Sequence, residues 1–103
     1  MDKYADKTQA IIGLQRRGYD QDFSLTGEGI LYLQKSELIW PEEFEIVETY
    51  RFENTKSLND SYIIYAIRSF EREVNGILMT SFNSFNKNIS IHLWAKLGQH
   101  LNV

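Results

Sequence analysis

The chain has no cysteine, one proline and no long run of charge of one sign. Without cysteine there are no disulfides, no thiolate nucleophile and no thiolate zinc site. A small secreted domain commonly needs such staples, so their absence favours a cytoplasmic location. The N-terminus, Met1-Asp-Lys-Tyr-Ala-Asp6, is acidic and lacks an apolar h-region, so it does not read as a signal peptide. No apolar stretch approaches the roughly 20 residues needed to span a bilayer. The net charge of −3, with no basic tract, argues against nucleic-acid binding, which needs cations to neutralise phosphates, and against an anionic membrane surface. Phosphate-cradle and nucleophile motifs are also missing: no Gly-x-Gly-x-x-Gly, Gly-x-x-x-x-Gly-Lys-Ser/Thr or Gly-x-Ser-x-Gly occurs.

What remains is an ordinary globular composition at a length of 103 residues, 43% of them hydrophobic and 14% aromatic. That length is enough for a single domain, residues 1–103, with one core. The strongest signal is Ser61-Tyr-Ile-Ile-Tyr-Ala-Ile-Arg-Ser69, rich in β-branched and aromatic residues and free of Gly and Pro. Neither of its faces is polar, so it reads as a central strand covered on both sides. It is flanked by strands Glu45–Glu53 and Gly76–Phe82. Polar connections at Asn54–Asp60 and Phe70–Asn75 separate the three, with Asn75-Gly76 marking the second turn. In the first strand Ile46, Glu48, Tyr50 and Phe52 fall on one face by simple alternation.

Before these strands, Asp6 to Arg17 reads as a helix capped by Asp6 with Gln9 three residues on, and stopped by Gly18. Ala10, Ile11 and Leu14 form its apolar face. Tyr19 to Leu33 reads as a hairpin turning at Gly27-Glu-Gly29, Glu37 to Trp40 as a short extended piece, and Pro41 to Phe44 as one helical turn. Asn83 to Asn88 reads as a loop. Ser90 caps a final helix running to about Leu101, with Leu93, Trp94, Leu97 and Leu101 as its apolar stripe. Trp94 is expected to be mostly buried against the central strands. The order predicts an α+β domain: an antiparallel meander of about five strands with the two terminal helices packed on one face. The other face, carrying Tyr62, Ile64, Ala66, Leu78 and Phe82, would then need loops or a partner to cover it.

Candidate sites are few. His92 and His100 are eight apart and lack metal-ligand spacing, so no metal or other cofactor is implied. Glu42, Glu43 and Glu45 lack the spaced pattern of a calcium loop and read as a solvated helix start. Glu48 on an apolar face would have the raised pKa of a general acid if buried; pairing with Arg51 or Arg68 is the structural reading. Tyr50, Tyr65 and Trp94 would line an aromatic pocket between sheet and helices, with Glu48 beside them. No nucleophile–base pair accompanies them.

The segments Arg17-Gly-Tyr19, Asp22-Phe23, Glu43-Phe44, Tyr50-Arg-Phe-Glu53 and Asp60 to Ser69 resemble a family of short, uncharacterised bacterial proteins, some of them labelled phosphoribosylpyrophosphate synthetase. An enzyme of that kind is several times longer and holds ribose phosphate with an acidic pair ahead of a Thr/Gly-rich loop. Nothing here corresponds, so the resemblance implies no reaction and no catalytic residue. The functional expectation is a small non-catalytic binding or interaction module, with a protein partner or a second copy of itself. The alternative is a small-molecule-binding domain or enzyme using the aromatic pocket.

Overall fold

A computed structural model describes residues 4–53, 61–81 and 90–98. Helix α1, Lys7–Arg16, starts where Asp6 turns extended and its carboxylate accepts from the Gln9 N–H at 2.9 Å. The Gln9 side chain reaches back to the Ala5 N–H at 3.2 Å, closing the predicted box one residue early. At the other end Gly18 takes φ +100°. The Tyr19 N–H then reaches the Leu14 carbonyl at 3.0 Å and the Gly18 N–H that of Gln15 at 3.1 Å. That pair of bonds is a Schellman stop, which glycine makes without strain.

Among the described residues, six strands form one mixed sheet: β1 Gln21–Leu25, β2 Ile30–Tyr32, β3 Glu37–Ile39, β4 Glu45–Phe52, β5 Tyr62–Ser69 and β6 Val74–Ser81, in the order β3-β2-β1-β6-β5-β4. The five-strand antiparallel meander is therefore corrected. There are two antiparallel three-stranded units, and they join through β1 and β6, which run parallel with Phe23 beside Leu78. The 3₁₀ turn Pro41–Glu43 leads from the β3 edge to β4 at the opposite edge, so β6 returns alongside β1. A parallel pair needs only a long crossover, and the whole of β2 to β5 supplies it. Gly76 is not a turn residue either. The turn lies at 70–73, where Glu73 takes φ 52°, and Gly76 sits inside β6. A Cβ there would stand 2.5 Å from the Gln21 carbonyl oxygen, so glycine permits β1 to approach.

A bulge in β4 changes the face assignment. Ile46 pairs with Ile67, but the next partners are Glu48 and Ala66, leaving Val47 as the extra residue. Ile46 accordingly packs on one side of the sheet, Tyr50 and Phe52 on the other. Strand β5 is interior, and both its faces are covered, as its composition requires. Ile63, Tyr65 and Ile67 meet Leu93 and Leu97 of α2, Ile91–Gly98; Ile64 and Ala66 meet Ala10 and Leu14 of α1. The helices thus lie on opposite faces, not on one. A strand apolar on both sides buries most when each side receives a helix. Leu78, opposite Tyr65, belongs to the α2 side and not with Ile64 and Ala66.

Helix α2 begins at Ser90, whose hydroxyl accepts from the Leu93 N–H at 3.2 Å. Leu93 and Leu97 are fully buried, whereas Trp94 is 43% exposed, which overturns its assignment to the core. Leu93 and Leu97 lie one turn apart and aim at the sheet; Trp94 stands about 100° round from Leu93, on the flank. Helix α1 covers β5 and β6, and Tyr50 of β4 joins its cluster. On the same side, no described helix covers β1, β2 and β3, where Ser24, Leu31 and Leu38 stand in one register row. Among the described residues no helix is long and apolar enough to cross a membrane. The connections Asn54–Asp60 and Asn83–Asn88, together with Phe82, His100 and Leu101, lie outside the described residues.

Candidate functional site

The four residues singled out from the sequence do not converge. Glu48 and Tyr50 come together on the α1 side. Arg17, at the end of α1, forks onto the Glu48 carboxylate: Nη1 donates to Oε1 at 3.0 Å and Nη2 to Oε2. The Tyr50 hydroxyl also donates to Oε1. Arg17 Nη1 reaches the Tyr4 hydroxyl at 3.3 Å, and the Tyr4 ring meets Tyr50 edge-on with centroids 5.1 Å apart. Glu48 keeps 19% side-chain exposure. Burial, then the bond to Glu48, pushes the Tyr50 phenol up to about 12, and the carboxylate raises Arg17 further. Arg51 and Arg68, the partners expected for Glu48, are placed elsewhere: Arg51 bonds Glu53 and Arg68 stands over the Phe70 ring. The cluster ties the end of α1 to the edge strand beyond the bulge. It is an anchor, with both oxygens of the carboxylate engaged.

Tyr65 is fully buried on the opposite side, its hydroxyl donating to the Leu97 carbonyl at 3.3 Å, and burial raises its pKa. The space between sheet and α2 at this point is filled core. Trp94 lies outside it.

A concavity lies elsewhere, where α2 meets the β1–β2 turn and the 3₁₀ turn. The Ser90 N–H donates to the Gly27 carbonyl at 2.6 Å, tethering the start of α2 to the β1–β2 turn. Thr26 shapes that turn: its hydroxyl accepts from the N–H groups of Gly29 at 3.0 Å and Glu28 at 3.3 Å. Further along α2, the Lys96 ammonium donates to the carbonyls of Pro41 and Phe44 and stands 4.7 Å from the centre of the Phe44 ring. Glu43 closes the 3₁₀ turn on Trp40: its carboxylate accepts from the Trp40 N–H at 2.9 Å, which lowers its pKa.

The elements so joined line an open groove of about 700 Å³. Trp40, Pro41 and Glu42 come from the end of β3 and the 3₁₀ turn, Glu28 from the β1–β2 turn, and Ser90, His92 and Lys96 from α2. Trp40 is 42% exposed. Partial burial lowers the pKa of Lys96, against the pull of Glu45 and Glu42. Among the described residues neither Glu28 nor Glu42 has an ion-pair partner, and no three metal-ligating side chains gather anywhere. The acidic run Glu42–Glu45 divides: Glu43 turns to Trp40 and Arg72, Glu42 to the groove.

Sequence reasoning passed over Trp40, Glu28 and Lys96. The one available signal was a tryptophan immediately before the only proline, where the chain leaves the sheet and the ring has no ladder neighbour. No protein-family model, curated protein or solved structure matches the chain, so the groove is read from its own chemistry.

Proposed function

We propose that this protein is a small non-catalytic binding module that docks a partner in the groove beside α2. The observation that carries this reading is a concavity of about 700 Å³ walled by a half-exposed indole. An exposed aromatic face beside a concave wall is a common anchor point in recognition sites. Amide shift mapping by NMR with short blocked peptides of basic, acidic and apolar type tests it. Saturable shifts centred on Glu28, Trp40, Glu42, His92 and Lys96 are expected. Shifts scattered over the surface, or centred on Glu48, would remove the reading.

A second reading, self-association, is favoured by one observation. On the α1 side of β1 to β3, where no described helix lies, Leu31 and Leu38 are only part-buried, and Met79 of β6 is 43% exposed on the same side. Sedimentation velocity over a concentration series checks this. A dimer that Met79→Lys dissolves supports it; a monomer throughout ends it.

A further inference from the structure

Within the groove, the charges differ in how they are used. Lys96 is the only lysine or arginine among the described residues that line it. Its ammonium is taken up by two backbone carbonyls and the Phe44 ring, so it has little left to offer an anion. The carboxylates of Glu28 and Glu42 are exposed, with no ion-pair partner among the described residues. Trp40, 42% exposed, lines the same groove, and an indole ring carries a negative π-face. Carboxylates and an indole face favour the same visitor, a cation.

We propose that the groove receives an arginine side chain from an extended segment of a partner protein. The inference rests on the groove being the docking site. A guanidinium can stack on indole while its N–H fork bonds a carboxylate, which a compact ammonium does less well. At about 700 Å³ the groove is larger than one side chain, so residues flanking the arginine would occupy the remainder. The net charge of −3 adds long-range attraction for a basic segment.

The test uses the full chain and four blocked pentapeptides, Gly-Ser-X-Ser-Gly, with arginine, citrulline, leucine or glutamate at X. Citrulline keeps the shape of arginine and removes its charge. The arginine peptide is expected to shift the Trp40 indole and the amides of Glu42, His92 and Lys96. It should bind about tenfold more tightly than the citrulline peptide. Glu28→Gln and Glu42→Gln should each weaken it about three- to fivefold and reduce its salt dependence. Both positions are exposed, and unchanged melting temperatures will confirm that the variants fold. Equal binding of citrulline, tighter binding of leucine or glutamate in the groove, or indifference to both Gln variants would overturn the arginine assignment while leaving the docking site. If none of the four peptides perturbs the groove, both proposals fall.

Discussion

Tyr50 offers the clearest quantitative check on the fold. Its phenol is 8% exposed and donates to Glu48, and its pKa rises from 10.0 to about 12. Below the ordinary tyrosine pKa the phenol is protonated whether the chain is folded or not, so its contribution to stability is complete. Above about 10 the unfolded chain releases this proton while the folded chain retains it, and stability falls until about 12. A tenfold difference in proton affinity is worth ~1.4 kcal/mol, so the whole loss is ~2.7 kcal/mol. That is a large share of the ~5–15 kcal/mol typical of a small domain. Tyr50→Phe removes the titrating group at the cost of one hydrogen bond, ~1 kcal/mol at neutral pH. Urea unfolding followed by circular dichroism, at about pH 9 and about pH 12, reads both effects. The variant should begin weaker and then lose less than the wild type over this interval. All other ionisable groups are common to the two proteins and cancel in the comparison. Parallel losses in the two proteins would show that Tyr50 titrates as though unfolded, and the anchor at Glu48 would be refuted.

Three further substitutions probe the packing. Leu97→Ala empties a fully buried site between α2 and the sheet and should cost ~3–5 kcal/mol, whereas Trp94→Ala on the half-exposed flank should cost ~1–2 kcal/mol. Thermal melts decide this, and an equal or larger drop for Trp94 would place the indole in the core after all. Gly76→Ala drives a methyl against the Gln21 carbonyl at 2.5 Å and the Phe23 ring at 2.7 Å, and should destabilise by more than ~2 kcal/mol by prying β1 from β6. A melt unchanged by that substitution would contradict the parallel junction.

What was legible in the sequence was local. Asp6, Gln9 and Gly18 act within a turn or two of their own positions, so α1 could be bounded from them. Alternation and β-branched content marked β4, β5 and β6, and the doubly apolar β5 correctly implied cover on both faces. Pro41 marked the single turn before β4 for the same reason: its fixed φ and missing N–H are properties of one residue.

Tertiary structure decided everything that depends on which distant segments meet. The bulge at Val47 arises from the fit between β4 and β5, and one extra residue moved Glu48, Tyr50 and Phe52 off the face of Ile46. The junction of β1 with β6 pairs strands far apart in the chain, and only their mutual packing selects it over other edges. The side each helix takes follows from that sheet: once β5 lies inside it, two faces need cover and each helix buries more area alone on a face than sharing one. The groove has the same origin. Glu28, Trp40 and Lys96 belong to three separate segments, each legible as a turn or a helix but with nothing in the sequence to bring them together, and the carbonyls of Pro41 and Phe44 become partners of Lys96 only when α2 docks. Local rules act through a few bonds of chain, whereas burial is settled by the whole assembly of elements at once.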